Sequence, residues 1–260
     1  MSAFLHGTAG VIACELRYRV RRVSWYVVIG AFFGLVALGT VLVYFIVGLT
    51  AGGTGEALYS GVVYVVAILS VFFIPALSGS ALNRTRVSGS GAEQHRITSD
   101  QPGHDTADRL VLGKFLAAWL AALALLAVSL PALAFAVITA DTMPAGTAVP
   151  PTFVAVAPLL LVVQFGVVAA CGVGCSGIFS RPLFSIAASY LVSVSVGVVT
   201  LLAWLFAVAF RDVGTAIPEW AIALASHLVL SLGALYWALR RARAASSSNS
   251  AGQPREPAAR

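Results

Sequence analysis

Two side chains inside apolar runs are the best placed for chemistry. Ser176 sits in Gly174-Cys175-Ser176-Gly177, and His227 is the one histidine within an apolar segment. A hydroxyl activated by an imidazole would make an intramembrane serine protease, provided the two groups are in hydrogen-bond contact. Depth argues against that pairing. Ser176 lies five residues from Arg181, about 8 Å of helix, whereas His227 lies thirteen from Arg240, about 20 Å. The side chains miss one another by roughly 12 Å. A neutral imidazole bonded to a neighbouring helix is the simpler expectation for His227. Gln164 is a candidate partner, or lines a pathway.

No catalytic or metal constellation is expected. Cys171 and Cys175 share a helix face, but two thiols do not make a site. His95, Asp100, His104 and Asp105 lack ligand spacing. The chain has no GxxxxGK[ST] loop for phosphate, so no nucleotide cofactor is expected on it. Acids within apolar runs are nearly absent, which disfavours a proton-coupled secondary transporter.

The elements that carry these residues are hydrocarbon. Of 260 residues, 59% are hydrophobic and 10% charged, with a mean hydropathy of +0.93. Soluble domains carry about 25% charge. The expected fold is all-α and polytopic, with six spans near 25–49, 60–82, 110–139, 153–179, 183–210 and 219–239. Each reaches the roughly 20 residues that cross a bilayer core. Residues 1–24 are expected as an amphipathic interfacial helix, with Ile12, Leu16, Val20 and Val23 on one face. Glu15 and Arg19 are spaced for an i,i+4 pair. Residues 25–243 form the six-helix domain, and 244–260 read as a disordered tail.

Charge sets the orientation. With the N-terminus inside, fifteen of the sixteen basic residues fall on inner segments and only Arg211 lies outside. That asymmetry places both termini in the cytoplasm of a cell-membrane protein. A net charge of +6 distributed this way points to a membrane and not to nucleic acid.

Small residues recur at packing intervals. Gly30 and Gly34 make a GxxxG step, and Ser185, Ser189 and Ser193 form a stripe continued by Gly197. Such residues let helices approach closely in lipid, within one bundle or between subunits, or they line a polar pathway. Pro75, Pro131 and Pro158 interrupt spans and are expected to kink them.

The longest polar interval, Asn83 to Arg109, follows the second span. Four features in order carry a resemblance: the basic helix ELRYRVRR at Glu15–Arg22, ALNRTR at Ala81–Arg86, LVLGKFLAAW at Leu110–Trp119, and CSGIFSRPLFSIAASYLV at Cys175–Val192. Together they are similar to the permease subunits of type-2 ATP-binding-cassette exporters. The resemblance implies a second permease subunit, alike or different, and cytoplasmic ATPase subunits that use ATP and Mg. It places ATPase-coupling contacts on the N-terminal helix, at Glu15, Arg17, Arg19, Arg21 and Arg22. It places others on the 83–109 loop, at Arg84, Arg86, Glu93 and Arg96. The family's acidic-basic ERxxGT-like run after the second span is replaced here by Asn83-Arg-Thr-Arg-Val-Ser-Gly-Ser-Gly, with Glu93 displaced downstream. A membrane anchor that recruits a soluble partner through the same loop is the alternative.

Overall fold

The computed structural model describes residues 2–50, 52–79, 81–82, 104–143, 148–179 and 181–209, with scattered positions between 225 and 240. Among the described residues the chain is all-helical: α1 (Ser2–Val20), α2 (Val23–Leu49), α3 (Gly55–Ser78), α4 (His104–Ile138), a 3-10 turn (Ala140–Thr142), α5 (Pro151–Ile178) and α6 (Pro182–Ala209). Among the described residues four segments are long and apolar enough to cross a membrane: Val23–Leu49, Gly55–Ser78, Asp108–Ile138 and Pro151–Ile178. Helix α6 is 28 residues long, and its Pro182–Ser195 portion is apolar. Two thirds of the sixth expected span, 219–239, falls outside the described residues, its described positions being helical, and the 244–260 tail falls wholly outside them.

Local chemistry sets the helix starts. Arg22 breaks α1 from α2 by adopting an extended backbone. Thr54 caps α3, its hydroxyl accepting from the Ala57 amide at 3.1 Å. That cap starts α3 five residues before the expected 60. Pro151 opens α5 at the position where its missing N–H costs nothing. Helix α4 begins at His104, so the last residues of the expected polar loop are helical. Pro75, Pro131 and Pro158 all lie inside continuous helices.

Helix α3 is the hub, packed against α2, α4, α5 and α6. Its Leu58, Tyr59, Val62, Val66 and Ile74 are fully covered, together with Phe32 and Val36 of α2, Leu125 of α4 and Phe165 of α5. Lipid is as apolar as leucine, so these contacts hold by close packing and hydrogen bonds and not by escape from water. Phe32 meets Phe73 edge-on at 5.3 Å. The Trp119 indole donates to the Val162 carbonyl at 3.2 Å, joining α4 to α5.

The glycines that allow close approach are not the expected pair. A Cβ at Gly39 would lie 2.6 Å from Val65 Cγ1, so α2 and α3 meet there. A Cβ at Gly172 of α5 would lie 2.7 Å from Ser78 Cβ and press on the Ser78 hydroxyl of α3. At Gly30 and Gly34 an added Cβ has nothing within 4 Å, and both residues are on the outer side of α2. Within the described residues the GxxxG step packs nothing.

Gly172→Ala is therefore expected to destabilise the purified chain by about 1–3 kcal/mol, the usual cost of overpacking. Gly30→Ala should leave the thermal unfolding midpoint in detergent unchanged. Equal midpoints for the two variants would contradict this packing.

Candidate functional site

Helix α1 presents a mixed face to the bundle. Thr8, Val11 and Arg19 are buried and Glu15 is nearly so, at steps of three and four residues. Of the apolar face expected for the headgroup layer, Val20 and Val23 are exposed and Ile12 and Leu16 half-buried. The mixed face is fitted to α4. Gly113 has no side chain, and a Cβ there would lie 2.8 Å from Val11 Cγ1, so α1 settles directly onto the α4 backbone.

One residue further along α4 is a lysine. Lys114 Nζ donates to Glu15 Oε2 at 3.1 Å, and Arg19 Nε donates to Glu15 Oε1 at 3.2 Å. Arg19 Nη2 also donates to the Leu77 carbonyl at 3.2 Å. Leu77 is in the last turn of α3, where carbonyls lack helical partners. The side chains are 3% exposed for Lys114, 6% for Arg19 and 13% for Glu15, so the whole cluster is withdrawn from water. One carboxylate, two cations and one helix end thus tie α1, α3 and α4 together.

Burial pushes the Glu15 carboxyl up, but Lys114 and then Arg19 beside it outweigh that, and the group is held below the usual carboxylate value. A depressed folded value gives a stabilisation that is complete above the unfolded carboxylate value. It is lost as pH falls through the folded one.

The remaining helices grip the same end of α3 through hydroxyls. Ser176 Oγ accepts from the Leu82 amide at 3.3 Å and donates to the Val173 carbonyl at 2.7 Å. Fully buried and so engaged, Ser176 is a packing and capping residue among the described side chains. Ser185 donates to the Gly79 carbonyl. Ser189 and Ser193 continue the stripe, buried, with hydroxyls that have no hydrogen-bond partner among the described residues. A Cβ at Gly79 would lie 3.0 Å from Ser189 Oγ, so the stripe faces α3 within the same chain. Tyr190 Oη donates to the Phe72 carbonyl at 2.8 Å. Gln164 Nε2 donates to the Ala67 carbonyl at 3.3 Å, which ties α5 to α3.

The sequence candidates therefore separate. Glu15 and Arg19 come together with Lys114 in the buried cluster. Arg17, Arg21 and Arg22 of the same stretch are exposed. Gly30 and Gly34 face outward, and Gln164, Ser185, Ser189 and Ser193 pack around α3. Arg84, Arg86, Glu93, Arg96 and His227 lie outside the described residues. The two members not anticipated are Lys114 and the Leu77 carbonyl. Lys114 had a visible signal: it is the one charge inside the apolar LVLGKFLAAW. Among the described residues no group of three or more His, Cys, Asp or Glu could hold a metal.

Glu15→Gln leaves two cations facing one another and should cost about 3–5 kcal/mol, the range for breaking a buried pair. Lys114→Met leaves Glu15 with Arg19 and should cost less. Thermal unfolding of the full chain in detergent checks the order; Lys114→Met as the worse variant would contradict the shared carboxylate. The wild type should also lose α1 protection from proteolysis as pH drops below the carboxylate range, and Glu15→Gln should show a smaller acid dependence.

No protein-family model matches this chain, and no curated protein does either.

Proposed function

We propose that this chain is a permease subunit of a type-2 ATP-binding-cassette exporter in the cell membrane, with both termini cytoplasmic and six spans. In this reading it pairs with a second permease subunit and is driven by separate ATPase subunits that use ATP and Mg. The observation that carries the reading is the Glu15 cluster. Helix α3 ends at Ser78 and α4 begins at His104, and the cluster joins Leu77 at the end of α3 to Lys114 of α4. A load applied to the segment by a partner passes into α3 and α4, and α1 is braced against both through Glu15, Arg19 and Lys114.

That geometry supports a division of labour. With Glu15 and Arg19 occupied inside the protein, the ATPase contact is assigned to the 83–103 segment, at Arg84, Arg86, Glu93 and Arg96. Helix α1 then acts as a strut. ATP binding closes the partner ATPases, the segment moves, and the packed α3–α4–α5 unit rocks as a body. Such coupling requires contacts that differ in strength between the two states.

Affinity purification of the tagged full chain in mild detergent is expected to bring down a stoichiometric protein with a phosphate-binding loop and measurable ATP hydrolysis. A preparation free of any ATPase, repeated with crosslinking, would overturn the transporter reading in favour of an anchor. With the partner in hand, the Arg86→Ala, Glu93→Ala double variant should lower permease-stimulated hydrolysis at least about fivefold, the lower end of ordinary coupling energies.

A further inference from the structure

The outward face of α1 and the residues that follow it carry arginines that pair with no acid among the described residues. Helix α1 contains one acid, Glu15, and the fold turns it inward to Arg19 and Lys114. Arg17 and Arg21 lie about half a turn from Glu15 and Arg19, on the side away from α4, and both are exposed. Arg22 is exposed at the break between α1 and α2. Its guanidinium sits 4.2 Å over the Tyr18 ring and donates to the Tyr18 hydroxyl, so the side chain is held in place.

The level of this group is set by α2. Its 27 residues span about 40 Å, more than the roughly 30 Å of a hydrocarbon core, so its ends reach the headgroups. Arg21 and Arg22 immediately precede its first residue, Val23, which is 78% exposed. Tyr26, one turn further on, is 59% exposed, an amphipathic ring of the kind that settles at the membrane–water boundary. Beyond it α2 shows an apolar outer face suited to acyl chains, including Val27 and Leu38.

We propose that the α1–α2 elbow is a binding site for anionic phospholipid headgroups. Arg17, Arg21 and Arg22 supply the phosphate-binding forks, Tyr18 holds one of them in position, and Tyr26 marks the depth. Guanidinium forks match phosphate oxygens in pairs. A basic juxtamembrane cluster gains attraction to anionic lipid for each arginine near the surface. The occupant is a lipid because the charge adjoins an exposed apolar helix at headgroup level. The inference does not depend on the transporter reading.

The test titrates the delipidated full chain in detergent with phosphatidylglycerol and with phosphatidylcholine, counting bound lipid by native mass spectrometry. The Arg17→Gln, Arg21→Gln, Arg22→Gln triple variant is expected to lose at least roughly tenfold in phosphatidylglycerol affinity, from the per-arginine contribution. Its phosphatidylcholine affinity and unfolding midpoint should be unchanged, since all three residues are exposed. Tyr18→Leu, which keeps the charges, should give a smaller loss. Arg181→Gln removes an exposed arginine from the α5–α6 turn and should have little effect. Inorganic phosphate should not displace the lipid. Equal phosphatidylglycerol affinity in wild type and triple variant would overturn the site. So would an Arg181→Gln loss as large as the triple variant's, or full displacement by phosphate.

Discussion

A carboxylate withdrawn from water needs counter-charge close by, and Glu15 has two sources of it on two helices. That requirement organises the polar end of the bundle. Lys114 would be costly alone in an apolar segment, and Arg19 would be costly beneath α1. Each is tolerable because Glu15 is between them, at 3.1 Å and 3.2 Å. The leftover donor capacity of Arg19 then satisfies the Leu77 carbonyl at the end of α3. The same contacts hold α1 against α4, where Gly113 has no side chain, and leave Arg17 on the exposed side.

Below that cluster the bundle is held by small residues and by side chains donating to α3 carbonyls. Gln164, Tyr190, Ser185 and Arg19 come from three different helices, and each donates to a carbonyl of α3 or of the residue that follows it. In hydrocarbon such bonds lack the competition from water that weakens them elsewhere. Helix α3 is thereby clamped from three sides, whereas most of the outer surface of α2 is free.

Much of this was legible from residue types. Helix positions followed from uninterrupted apolar runs, and α2 and α5 start and stop within two residues of expectation because Arg22 and Pro151 punctuate them. The Glu15–Arg19 pair followed from spacing alone. The docking face of α1 did not. Periodicity assigns the helix an apolar face for the headgroup layer, and the side that meets the bundle is decided by Gly113 and Lys114 on α4. Nor did spacing show which glycines pack: Gly39 and Gly172 are used and Gly30 and Gly34 are not, since only the arrangement of neighbouring helices decides which side of α2 is covered. Depth set Ser176 aside as a nucleophile, but its role as a cap for the chain leaving α3 is visible only once Leu82 is brought beside it.

The central claim is that α1 and the start of α4 are one body, joined at Glu15. Zero-length crosslinking of the native pair tests it most directly, with a membrane-permeant carbodiimide to join the Glu15 carboxylate to the Lys114 amine and a protease site placed in the 83–103 segment. After reaction in native membranes, cleavage and denaturation, the two fragments are predicted to stay joined, and Glu15→Gln or Lys114→Met should sharply lower the yield. Fragments of the wild type that separate, in a protein that is otherwise folded, would mean that α1 does not dock on α4 through Glu15 and would contradict the account.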